Sequence, residues 1–71
     1  MNTLTAAERV REARKQEGWT QAELTRRAHI NSIGLVSMIE SGYRPGARLQ
    51  GKLAAALGLD PAALFPVEDS D

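Results

Sequence analysis

The residues best suited to specific chemistry lie in the stretch NSIGLVSMIESG, from Asn31 to Gly42. Asn and Ser side chains donate and accept hydrogen bonds. Ile and Met offer apolar surface, and a glycine or serine lets a second surface approach closely. This set suits the donor, acceptor and methyl pattern that base edges present in a major groove. It contains no Arg, Lys or Gln. It therefore lacks the two-pronged Arg–guanine contact, which contributes about 1–3 kcal/mol of discrimination. Affinity must then come from cations elsewhere, and part of the specificity from DNA shape. The competing reading is a solvated face, or one that packs on protein. Catalytic chemistry finds no support. The chain has one His and no Cys, and no nucleophile elbow, Gly-rich phosphate loop or carboxylate cluster. His29 lacks further ligands at metal-binding spacing, so it reads as a turn residue. No metal or cofactor is expected.

The supporting cations are distributed unevenly. Net charge is zero, but all nine Lys and Arg lie at or before Lys52, against five acids, which gives +4 for residues 1–52. From Leu53 onward there are four acids and no base, which gives −4. A basic body fits a polyanion-binding face, and the acidic end is then repelled or turned toward a partner. Scattered solvated charge is the bland alternative. The candidate backbone contacts are Arg26, Tyr43 through its hydroxyl, Arg44 and Arg48, with Arg27 and Lys52 nearby. Arg44 leads this group, because it follows the reading stretch on a turn held by Gly42 and Pro45.

These residues need a scaffold, and 71 residues allow one small domain. Without cysteine no disulfide or thiolate metal site braces it. No apolar run approaches the ~20 residues of a membrane span, and MNTLTAAERV lacks the pattern of a signal peptide. The expected location is the cytoplasm.

The periodicity is helical throughout. Thr5 and Glu8 form a capping box that opens a first helix with Val10 and Ala13 inward, closed by Gly18. Thr20 and Glu23 form a second box, with Trp19 and Leu24 at hydrophobic-staple spacing. After the turn HIN, Asn31 or Ser32 caps a third helix. Its Leu35, Val36 and Ile39 face the core, its Gly34, Ser37, Met38 and Ser41 face outward, and Ile33 lies on the flank. Pro45 breaks the chain. A fourth helix carries Leu49, Leu53 and Leu57 and stops at Gly58. A fifth starts with Asp60 as cap and Pro61 at its first position. Leu64 faces the core, whereas Phe65 and Val67 suit either the core or a dimer contact. The expectation is an all-α, compact five-helix bundle over residues 1–66, followed by an acidic tail, 67–71. Its second and third helices have the helix-turn-helix outline.

The pieces VREARKQEGWTQAEL, IESG, RP and KLAAALGLDPAALF, in this order, resemble the lambda-repressor-like (Xre/Cro-type) helix-turn-helix family across about residues 7 to 65. The resemblance implies a DNA-binding domain that acts as a transcriptional repressor or autoregulator by occupying an operator, usually as a homodimer. It implies that Gln21 touches the DNA backbone and braces the reading helix, and that Arg14 and Glu40 form a structural ion pair. It places Asn31, Ser32, Ile33, Gly34, Ser37 and Met38 in the base-reading region, with Arg44 in the following loop near phosphate. The sequence departs from the family at Thr25, where a small residue is usual, and at His29, where Gly is usual. It also has one residue more than usual between Ile30 and Ile39, and one fewer between Gly42 and Pro45, which shifts the expected start of the reading helix. The alternative function is a protein-interaction module, such as an antitoxin whose helix-three face or acidic tail binds a partner.

Overall fold

The computed structural model of the protein describes residues 4–66. Five helices follow one another: α1 (Ala6–Glu17), α2 (Gln21–Arg27), α3 (Ile33–Glu40), α4 (Ala47–Leu57) and α5 (Pro61–Leu64). No strand occurs among the described residues. The acidic tail, including Val67, lies outside them.

Local chemistry sets the helix starts. The Thr5 hydroxyl accepts from the Glu8 N–H, and the Glu8 carboxylate accepts from the Thr5 N–H, which closes the first capping box. The second box forms only in part. Thr20 accepts from the Glu23 N–H at 3.0 Å, but the Glu23 carboxylate turns to Arg26 and Arg27 instead of back to Thr20. Two guanidinium groups at i+3 and i+4 hold it more strongly than one amide would. Asp60 caps α5 by accepting from the Ala62 N–H, with Pro61 behind it. Ser32, not Asn31, occupies the cap position of α3, and its hydroxyl makes no capping bond.

The first four helices stop in one way. An amide two or three residues past each end bonds back five residues, and the amide before it bonds back three. The pairs are Trp19 to Arg14 and Gly18 to Lys15; Ile30 to Thr25 and His29 to Arg26; Tyr43 to Met38 and Gly42 to Ile39; Leu59 to Ala54 and Gly58 to Ala55. This closure requires positive φ at one residue. Glycine supplies it at Gly18, Gly42 and Gly58, but the helix-turn-helix turn uses His29, at φ 56°.

Val10, Leu24, Val36, Ile39, Leu53 and Leu64 are fully buried and form the centre of one core. Removing each such side chain from water contributes roughly 1.5–3 kcal/mol. Phe65 is 3% exposed and joins this core, which resolves its two sequence options. Trp19, Leu35 and Leu49 are half-buried against it. Ile33, expected on the flank of α3, points fully outward at 80% exposed. The helix α3 packs on both α1 and α2, while α4 packs on α5.

Candidate nucleic-acid interface

The position of α3 depends on its last residue. The Glu40 side chain is 2% exposed. Its Oε2 accepts from Arg14 Nε at 2.7 Å, and its Oε1 accepts from Arg14 Nη2 and Gln21 Nε2, each at 3.0 Å. Arg14 Nη1 also donates to the Trp19 carbonyl at 2.8 Å. Arg11, which the sequence did not single out, donates through Nη2 to the Glu40 carbonyl at 3.1 Å. Side chains from α1 and α2 thus converge on one carboxylate of α3. Burial pushes the Glu40 carboxyl up. The bonds from Arg14 and Gln21, with the charges of Arg14 and Arg11, outweigh that and hold it below the usual carboxylate range. The hydrogen bond to Glu40 raises Arg14 in turn. A buried pair of this kind serves orientation more than net stability.

With Val36 and Ile39 turned into the core, the opposite face of α3 turns to solvent. Asn31 and Ser32 are exposed on the approach to the helix, and Ile33, Gly34, Ser37 and Met38 are exposed along it. Ile33 and Ser37 lie one turn apart, as do Gly34 and Met38. Met38 is 51% exposed. A side chain at Gly34 would meet no atom within 4 Å, so the fold itself does not demand glycine there. All six candidates are thus exposed, and Ile33, Gly34, Ser37 and Met38 share the outer face of α3.

The backbone-contact candidates have mixed surroundings. Gln21 spends one amide N–H on Glu40, which leaves its second N–H and its oxygen for another partner. Arg26 is exposed but bound to Glu23. Arg27 shares that carboxylate and stacks 4.6 Å from the Trp19 ring centre. The hydrogen bond from Arg27, then that from Arg26, holds the Glu23 carboxyl below its usual range. Tyr43 and Arg48 are exposed at either side of the α3–α4 loop. Lys52 Nζ donates to the His29 carbonyl at 3.2 Å. Arg44 is exposed, but its Nη2 donates to the carbonyls of Pro66 at 3.1 Å and Phe65 at 3.5 Å. Nothing in the spacing of the sequence announces that contact, because the partners are 21 and 22 residues away and are main-chain atoms. Among the described residues no group of three or more His, Asp or Glu could hold a metal ion, and no helix is long and apolar enough to cross a membrane.

A short helix and turn lead into a third helix that is pinned at one end and bare on its outer face. This is the architecture of a helix-turn-helix domain. Residues 10–64 match the model of the helix-turn-helix family, and the chain belongs to that lambda-repressor-like, Xre-type family. Among solved structures it is similar to the crystal structure of the hypothetical transcription factor NHTF from Neisseria. The two share 31% sequence identity with a TM-score of 0.78, over 84% of this chain and 69% of that one. No curated protein sequence matches it. Membership of this family makes the chain a DNA-binding regulator of transcription, not an enzyme.

Proposed function

We propose that the protein is a sequence-specific repressor or autoregulator, which occupies an operator in double-stranded DNA as a homodimer in the cytoplasm. The observation that carries this reading is the outer face of α3, exposed from Ile33 to Met38 while Glu40 fixes the helix from behind. Bound in a major groove, Asn31, Ser32 and Ser37 hydrogen-bond to base edges, and Ile33 and Met38 pack on thymine methyl groups. Gly34 admits the close approach. Gln21, Arg26, Tyr43, Arg44 and Arg48 meet phosphates on either side and set the register. Repression then follows from excluding polymerase at the occupied site.

The exposed apolar side chains of Ile33 and Met38 also favour a second reading, in which this face binds a protein, as in an antitoxin. Fluorescence anisotropy separates the two. Tight binding to the fragment upstream of the protein's own gene, weak binding to a scrambled control, and affinity that falls as salt rises support the regulator. Binding to neither fragment at low salt refutes it and moves the search to a protein partner.

A further inference from the structure

A groove of about 270 Å³ lies between the second half of α1 and the end of α4, on Glu12, Ala13, Gln16, Glu17, Leu57 and Leu59. Its floor is apolar. Ala13 is half-buried and Leu57 buried, while Leu59 is 41% exposed. Leu59 is also held in place, because its N–H donates to the Ala54 carbonyl at 2.9 Å. The rim is acidic. Glu12 and Glu17 are exposed, and no Lys or Arg lines the groove. Every other carboxylate among the described residues is engaged. Glu8 accepts from the Thr5 N–H, Glu23 from Arg26 and Arg27, Glu40 from Arg14 and Gln21, and Asp60 from the Ala62 N–H. Arg9 and Lys15 are within a turn of Glu12, but neither pairs with it. The two carboxylates that the fold leaves free thus border the same apolar floor.

The groove is turned away from the reading helix. In an α-helix Glu12 and Gln16 each stand about 160° around the axis from Arg14, the residue that reaches Glu40. An occupant of the groove therefore leaves the outer face of α3 uncovered. Size and charge narrow that occupant. Small-molecule sites begin near about 300 Å³ and enclose most of their ligand. This groove is smaller and its rim is solvated, which suits one large side chain. A second copy docked by two-fold symmetry would bring Glu12 and Glu17 toward their own counterparts, a like-charge contact that opposes binding.

We infer that the groove docks a segment of a partner protein in which one large apolar side chain is flanked by Lys or Arg. The apolar side chain packs on Ala13, Leu57 and Leu59. The flanking cations pair with Glu12 and Glu17, which stand about 7.5 Å apart along α1. With α3 on DNA as read above, the chain holds this partner and its operator at the same time.

The test uses the full chain and a synthetic helical peptide whose single Leu has a Lys one turn away on each side. A control peptide carries Glu in place of each Lys. Titrations without DNA are followed in ¹H–¹⁵N spectra. Docking predicts saturable shifts at the Ala13, Gln16, Leu57 and Leu59 amides with the Lys peptide and none with the Glu peptide. Glu12→Gln/Glu17→Gln should weaken binding about twofold to thirtyfold at low salt, as two exposed ion pairs allow, and the gap should close as salt rises. Leu59→Ala should weaken it at every salt. The proposal is overturned by the absence of saturable binding at low salt, by unchanged affinity in the double Gln variant, or by shifts centred on α3. Groove shifts that appear on concentrating the chain alone assign the face to a second copy and overturn it as well. Both variants should bind the duplex upstream of the gene as the parent does. A chain that does not bind that duplex refutes the DNA reading and leaves the peptide result standing.

Discussion

Replacing Glu40 with alanine tests how α3 is held. The carboxylate accepts three side-chain hydrogen bonds, two of them from one guanidinium. Bonds to charged groups contribute about 1.5–3 kcal/mol each, but they share atoms and do not sum. The deciding cost is that of leaving Arg14 without its counter-charge, about 3–5 kcal/mol for a buried pair broken on one side. The Arg14 side chain is 13% exposed and keeps the Trp19 carbonyl, so the lower end applies, about 3 kcal/mol. A chain of this length has a total stability of about 4–10 kcal/mol. The expected drop in Tm is about 12–24 °C, followed by thermal unfolding in far-UV circular dichroism. The double variant Arg14→Leu/Glu40→Leu should melt above Glu40→Ala, because it removes both charges and leaves neither buried alone. A Glu40→Ala protein that melts within about 2 °C of the parent refutes the reasoning. So does a double variant no more stable than the single one.

The other predictions are narrower. His29→Gly should raise stability by about 0.5–1 kcal/mol, the relief of a left-handed residue less the added freedom of the unfolded chain; a lower denaturation midpoint would show that the imidazole contributes more than its strain costs. The folded state holds the Glu40 carboxyl below its unfolded value, so its contribution is fully present above the unfolded pKa of about 4.3 and fades as pH falls through the folded value. Acid titration of Glu40→Gln should therefore show a shallower loss of stability below pH about 4 than the parent, and an identical slope would contradict the pairing. Ile33→Ala should leave Tm unchanged, given its exposure, yet weaken operator binding, as should deoxyuridine in place of the contacted thymine. If the methyl-free duplex binds as well as the parent, Ile33 and Met38 do not read thymine. Arg44→Ala should lower affinity equally on matched and scrambled DNA and flatten the salt dependence by about one phosphate, whereas Ser37→Arg should change which sequence is preferred.

The sequence by itself determined where α1 and α4 end and where α1, α2 and α5 begin, because those signals are local. Thr5 and Asp60 cap through atoms two or three residues away, and Gly18 and Gly58 adopt the left-handed turn at no steric cost. The inward faces of α3 and α4 follow from their apolar spacing for the same reason. The choices among competing partners were decided only by the tertiary structure. Glu23 had an amide and two arginines within reach, and the folded chain gave it to the arginines. Phe65 could cover the core or a second copy, and the packing of α5 put it inside. Arg44 reads as a free phosphate anchor until the fold brings the Phe65 and Pro66 carbonyls beside it. His29 stands where its family usually has glycine, and only the backbone revealed that it takes the left-handed turn nonetheless. A cap is a contest within one turn of helix, which the side chain's own chemistry settles. A contact between residues twenty or more apart depends on where the packed core carries each segment, and that is a property of the whole chain.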